Sequence, residues 1–340
     1  VIEGPAPYDE ALWKSLAELG LLGATIPEAH GGLGLGYLEL CVVAEELGRA
    51  LAPVPIFSTL YLAAEFLMRA GSAAQQSRWL PAIARGDAIG TFAWAEGAGQ
   101  TVPRTFSARV RQGRLHGVKL PVTDGLAAHF AVVGAEREDG FPGLFLVALD
   151  REGVTREALS TLDSSRPQAR LTFDGAAAEP LGSGEDCQVL VRGVLDAAAV
   201  LAAFEQLGGA DRALEMARDY ALDRMAFGRA IGSFQAMKHK LADMVVAVTL
   251  ARSNAYFAAW ALSTASAELP EAAAVAHLGA TEAYRHCARE AMQVHGGMGF
   301  SWESDCHLHY RRAQHLALGL GGPVEWESRL VDCLRSAQAA

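Results

Sequence analysis

Cysteine is scarce in this 340-residue sequence: Cys41, Cys187, Cys287, Cys306 and Cys333 are odd in number, far apart and never in a C-x-x-C. That argues against a disulfide framework or a thiolate zinc site and fits a reducing compartment. Charged residues make up 20% of the chain, the net charge is −10, and no long basic run occurs. A nucleic-acid backbone or an anionic membrane is therefore not an expected partner. No uninterrupted apolar stretch reaches the roughly 18–20 residues that span a bilayer, and no signal-peptide pattern is present, so the expected location is cytoplasmic. No Ser/His/Asp or Cys/His arrangement suggests a hydrolase. The first residue is Val1 rather than Met, so the chain is expected to begin inside a longer gene product.

What is present is a chain 51% hydrophobic, long enough for two or three domains with a sizeable core. Three blocks are expected: residues 1–90 helical, 91–188 strand-rich and 189–340 helical. In the first, Asp9 can cap a helix through Leu12, Leu16 and Leu19, and Gly20 stands where a C-terminal glycine belongs. The run Gly31-Gly32-Leu33-Gly34-Leu35-Gly36 reads as a turn, since no strand leads into it and no Gly-Lys-Ser/Thr follows. In the second block, alternating segments Ser107–Arg111, Arg114–Lys119 and Ala169–Phe173 are divided by Gln112-Gly113, Asp139-Gly140 and Asp174-Gly175, which predicts antiparallel strands in a small barrel or sandwich. In the third, Phe234, Met237, Leu241, Met244 and Val248 recur at helical spacing behind a Ser233 cap, and Pro270 and Pro323 open further helices. Long helices with one apolar stripe suggest a four-helix bundle.

No metal site is expected. On a helix, His307 and His309 point about 200° apart and cannot chelate together, which makes them a solvated or interface pair. Tyr310, Arg311 and Arg312 read as an ion-paired surface helix, and His295 as packing near the Gly296 turn.

Two stretches carry a family resemblance. Leu16–Gly36, LAELGLLGATIPEAHGGLGLG, and Arg224–Met244, RMAFGRAIGSFQAMKHKLADM, followed by Gln293–Phe300, QVHGGMGF, resemble the acyl-CoA dehydrogenase family in order and spacing. The resemblance covers the chain apart from a first helix. It implies an α+β multidomain fold with an N-terminal helical domain, a central antiparallel β-barrel and a C-terminal four-helix bundle, assembled as a tetramer. It also implies FAD as cofactor, an acyl-CoA thioester as substrate and electron-transfer flavoprotein as acceptor. The reaction this resemblance implies is α,β-desaturation, in which a carboxylate removes the α-proton, the β-hydride leaves to the flavin, and hydrogen bonds stabilise the developing enolate.

In that family each FAD lies at a subunit interface, and the two protein halves of the site survive unequally here. The half given to a neighbouring chain is present. Arg224 and Phe227 match R-x-x-F-G, with the guanidinium suited to pyrophosphate. Gln235 follows Phe234, and Gln293, Gly296 and Gly297 match Q-x-x-G-G-x-G, where main chain approaches the cofactor. The same-chain half is eroded. Phe92–Thr101, FAWAEGAGQT, replaces most of T-E-P-x-x-G-S-D, and Pro121-Val122-Thr123 stands where Trp-Ile-Thr meets the flavin ring, leaving Val122 and Thr123 as contacts.

The catalytic residue is not identified. Leu320-Gly321-Gly322-Pro323 occupies the late loop where a glutamate base commonly sits, and Ala198, followed by Ala199, occupies the alternative base position. Asp196 and Glu205 are the nearby carboxylates. Asp196 lies off the face of Ala198, and Glu205 lies seven residues and about 10 Å along the helix. This pattern resembles the shorter subunits of bacterial heterotetrameric acyl-CoA dehydrogenases acting on steroid side chains, which implies a homologous, glutamate-bearing partner. A self-sufficient homo-oligomeric oxidase or hydroxylase of the same superfamily, and a non-catalytic member, stay open as alternatives.

Overall fold

The computed structural model describes residues 1–2, 4, 6–97, 105–182 and 187–339. The chain forms two compact units, Val1–Gly36 with Pro53–Ala198, and Tyr37–Ala52 with Ala199–Ala340.

The first unit begins with α1 (Glu10–Glu18), whose Leu12 N–H donates to the Asp9 carboxylate at 2.9 Å, the expected cap. Gly20 follows in the left-handed conformation, and the Gly31–Gly36 run is a turn. A Cβ at Gly32 would lie 2.0 Å from the Ile26 carbonyl oxygen, so close packing of main chain explains that glycine without any phosphate. After α3 (Ile56–Ser58), a buried π-helical segment Thr59–Ala64 leads into α4 (Glu65–Ala70). Ser72 and Gln75 then form a reciprocal cap for α5 (Ala73–Ala84), the arrangement that satisfies two otherwise unpaired helix-end donors.

The strand-rich segment folds as one sheet. Its strands are β1 (Gly90–Ala93), β2 (Arg109–Arg111), β3 (Arg114–Thr123), β4 (Phe130–Glu136), β5 (Pro142–Ala148), β6 (Val154–Leu159), β7 (Gln168–Ala177) and β8 (Glu179–Leu181). The order is β6-β7-β3-β2-β4-β5-β8, with β1 parallel to β4. The expected barrel is not formed: among the described residues the path is open, ending at β6 and β8. The edge β8 is three residues long and contains Pro180, which has no amide to extend a ladder. Gln112-Gly113 turns β2 into β3 with both φ positive, at 51° and 70°, the two-residue hairpin turn anticipated. Asp174-Gly175, by contrast, ends no strand. It lies inside β7, where the pairing passes from Leu115↔Ala176 to His116↔Asp174 and Gly175 is the extra residue of a bulge.

The second unit is helical: α2 (Tyr37–Arg49), the later part of α6 (Cys187–Asp223), α7 (Gln235–Ser263), α8 (Leu269–His295), α9 (Cys306–Gly319) and α10 (Pro323–Ala339). Pro270 and Pro323 do open helices. Ser233 does not cap α7; it closes a 3-10 turn, its hydroxyl donating to the Ala230 carbonyl at 2.7 Å, while Phe234 occupies the cap position. α2 belongs to this unit because main chains approach closely: a Cβ at Gly208 would lie 1.8 Å from the Glu45 carbonyl, and one at Gly48 would lie 1.9 Å from that of Glu205. Arg252 adds a bridge to Glu45 at 2.6 Å and another to Asp211, and Arg49 pairs with Glu215.

Among the described residues two helices, α6 and α7, are long and apolar enough to cross a membrane, although charged residues interrupt each of them. Two thirds of the apolar window of α6 is buried inside the protein, the environment of a core helix. The window of α7 is 39% buried.

Candidate functional site

The residues assigned to a neighbour's cofactor gather in the helical unit. After α6 the chain reverses through a hairpin, β9 (Met225–Ala226) against β10 (Arg229–Ala230), and the Ile231 N–H closes it by donating to the Arg224 carbonyl at 2.8 Å. The hairpin turn is Phe227-Gly228, with φ of 52° and 80°. An aromatic residue in the left-handed region carries strain of order 1–3 kcal/mol, and such residues concentrate at binding sites. Phe227 is also 96% exposed. Its ring stands perpendicular to that of Phe234, at 6.3 Å between centroids, while the Arg229 guanidinium covers the Phe234 face at 4.0 Å. Arg224 and Gln235, at the two ends of this connection, are exposed.

The end of α8 supplies the rest. Gln293 is exposed in its last turn, and Gly296, with φ 61°, turns the chain into the 3-10 segment Gly296–Phe300. Among the described residues, a Cβ at Gly297 would meet nothing within 4 Å beyond its chain neighbours, so packing does not demand glycine there. The two ends are tied by an aromatic stack that the sequence reading missed: the His295 and Tyr220 rings lie 4.2 Å apart at 26°. A second tie is Lys240 to Glu290 at 2.5 Å. Burial pushes the Glu290 carboxyl upward, but the hydrogen bond and charge of Lys240 outweigh it and hold the group below the usual range. The surface thus presents a guanidinium with no ion pair among the described residues, two carboxamides and main chain without Cβ. That donor set fits the pyrophosphate and sugar end of a dinucleotide.

In the sheet unit, Val122 and Thr123 end β3. The Val122 side chain is wholly buried, so only its main chain could reach a flavin ring. Thr123 is half-buried, its hydroxyl 3.0 Å from the Gln168 amide nitrogen, and its carbonyl accepts from the Thr91 hydroxyl at 2.6 Å. Within FAWAEGAGQT the glutamate survives, and the sequence reading gave it no role. Glu96 accepts from the Ser107 and Ala108 amides and from the fully buried Lys119 ammonium, at 2.6, 2.9 and 2.8 Å. Burial lowers the Lys119 pKa to about 8 against the opposing pull of Glu96. Gly99 and Thr101 of this stretch lie outside the described residues.

The two base positions hold buried apolar groups. Ala198 and Ala199 are wholly buried and Leu320 is 4% exposed. The Leu320 carbonyl accepts from the Trp326 indole at 3.2 Å. Glu205, one of the substitute carboxylates, faces the buried Arg312, Nη1 to Oε1 at 3.3 Å. Arg312 is therefore a core residue rather than part of a surface helix. Asp196 is buried as well.

The histidines are not solvated either. His309 is buried with Nδ1 3.0 Å from the Tyr284 hydroxyl, and burial, aided by Arg312 and Arg212, lowers its pKa to about 3. His307 is buried against Trp302, its pKa also lowered by burial. No group of metal-ligating side chains occurs among the described residues.

Comparison with known proteins bears directly on this arrangement. Residues 3–87 match the family model described as the acyl-CoA dehydrogenase N-terminal domain, and residues 189–330 the C-terminal domain. Acyl-CoA dehydrogenase IpdE2 of Mycobacterium tuberculosis is 33% identical over 324 residues, covering 95% of this chain and 86% of the relative. The fold is similar to that of a variant of the Tcur3481–Tcur3483 steroid ACAD, with TM-score 0.89, 34% identity, and coverage of 100% of this chain and 92% of that one. It is also similar to the ChsE4–ChsE5 complex from Mycobacterium tuberculosis, with TM-score 0.88, 31% identity and coverage of 98% and 90%. The helical segments, the strand segment between them and the surviving cofactor motifs all belong together: this chain is a member of the acyl-CoA dehydrogenase family.

Proposed function

We propose that the chain is one subunit of an FAD-dependent acyl-CoA dehydrogenase that desaturates a bulky acyl-CoA thioester together with a homologous, glutamate-bearing partner. One observation carries this reading: the contacts suited to a neighbour's dinucleotide are exposed, while both base positions hold buried Ala198 and Leu320. Arg224 would hold pyrophosphate oxygens, Gln235 and Gln293 would bond the adenosine side, and the Gly296-Gly297 main chain would close over it. FAD, when bound, supplies the hydride acceptor. The α-proton would go to the partner's carboxylate, because Glu205 is committed to Arg312. The steroid ACAD and ChsE4–ChsE5 likenesses support a heteromeric assembly and a steroid-like acyl group.

The finer parts of the reading are a division at 1–90, 91–188 and 189–340, a C-terminal four-helix bundle, a heterotetramer in the cytoplasm and electron-transfer flavoprotein as acceptor. The flavin-to-chain ratio tests the central claim. The isolated chain should hold little FAD and fail to reduce it with acyl-CoA, whereas coexpression with a glutamate-bearing homologue should give a yellow, active complex. One tightly bound FAD per isolated chain, reducible by acyl-CoA, would overturn it.

A further inference from the structure

The exposed contact groups come from two places in the sequence, Arg224 after α6 and Gln293 with Gly296-Gly297 at the end of α8, and a dinucleotide can engage both only if their spacing is fixed. At the level of Arg224 the structure ties α6 to α8 through a pair of rings, beside the Lys240–Glu290 bridge that ties α7 to α8. Tyr220 lies one helical turn before Arg224, whose N–H donates to the Tyr220 carbonyl at 2.9 Å. His295 lies between Gln293 and Gly296. The two rings stack at 4.2 Å and 26°. The imidazole is itself held: its Nδ1 is 2.8 Å from the Ala291 carbonyl, an acceptor only, so that nitrogen carries the proton and donates. The ring is thus pinned to α8 on one edge and to α6 across its face.

We propose that the Tyr220–His295 stack is a positioning device for the dinucleotide-contact surface, setting Arg224 against Gln293 and the Gly296-Gly297 main chain. This rests on the reading of that surface as a cofactor contact. Tyr220 acts through Arg224 and touches no cofactor itself. An aromatic pair of this kind is worth enough that its loss should weaken a contact held by it about threefold to tenfold.

The test is a double-mutant cycle on the complex coexpressed with a glutamate-bearing homologue, stripped of flavin, with FAD affinity read from flavin fluorescence. Tyr220→Leu should weaken FAD binding about threefold to tenfold, and Tyr220→Phe, which keeps the ring, should restore it. In an Arg224→Ala background, Tyr220→Leu should change affinity by less than about twofold, because its effect runs through the missing guanidinium. Should Tyr220→Leu fail to fold, His295→Leu removes the other ring of the same stack and carries the same expectation. Equal, full effects of Tyr220→Leu in both backgrounds, or no difference between Tyr220→Leu and Tyr220→Phe, would overturn the inference. If Arg224→Ala itself leaves FAD affinity unchanged, it is the cofactor-contact reading of the surface that falls.

Discussion

Glu205 and Arg312 face each other inside the helical unit with side-chain exposures of 2% and 1%. Removing one member of such a pair strands a buried charge, which costs about 3–5 kcal/mol, whereas replacing both with apolar groups is often neutral. Arg312→Ala is therefore expected to lower unfolding stability in urea by about that amount, and the Glu205→Leu/Arg312→Met double variant by much less. If Glu205 were instead a catalytic base, Glu205→Gln would abolish turnover in the complex while leaving its stability intact. The expectation is the reverse.

That pair also marks the limit of what the sequence made legible. Asp9, Gly20, Gln112-Gly113, Pro270 and Pro323 act locally, through caps, turns and a missing amide, and each stands where the pattern placed it. Arg312 and His309 lie in a polar-looking run, and their partners, Glu205 and Tyr284, stand 107 and 25 residues away on other helices, which no local pattern carries. The same limit hid the Tyr220–His295 stack, 75 residues apart, and the Lys119–Glu96 pair. Closure of the sheet was not legible because it depends on whether edge strands meet, and Pro180 in β8 was the one local hint that they do not.

His277 gives the stability a pH dependence. Burial, with Arg329 contributing, lowers its pKa to about 4, and its ring packs on Trp326 at 4.9 Å between centroids. Above pH 6.5, the ordinary value, folded and unfolded chains are both neutral at this site. Below it the unfolded chain takes up a proton that the folded one refuses, so stability falls by about 1.4 kcal/mol per pH unit until the folded value is reached. Between pH 7 and 5 this histidine accounts for a loss of about 2 kcal/mol. Urea unfolding of His277→Phe should show a shallower decline over that interval by about this amount, and an unchanged slope would refute the assignment.

Two glycines should respond in opposite ways to one added methyl group. At Gly208 a Cβ would collide with the Glu45 main chain, where α2 and α6 cross, and overpacking of this kind costs about 1–3 kcal/mol or more. Gly208→Ala should therefore lower the denaturation midpoint without a specific effect on flavin. At Gly297 the added carbon meets open space, so Gly297→Ala should leave the midpoint of the flavin-free complex unchanged and reduce its FAD content. A Gly297→Ala complex with full flavin would remove this glycine from the contact surface.

Restoring a glutamate to either family base position should not make the isolated chain active. Leu320 is buried and its carbonyl is held by the Trp326 indole, which is itself wholly buried. A carboxylate introduced there enters an apolar site where its charged form is disfavoured, so its pKa rises and the protein loses stability. Ala198 is wholly buried on α6, and the extra atoms of a glutamate would have to displace packed neighbours. Leu320→Glu and Ala198→Glu are both expected to be destabilised and to leave the flavin oxidised when the isolated chain is mixed anaerobically with FAD and acyl-CoA. Rapid bleaching of the flavin in either variant would mean that a competent acyl site already exists within this chain, and the need for a base-bearing partner would reduce to a single missing carboxylate.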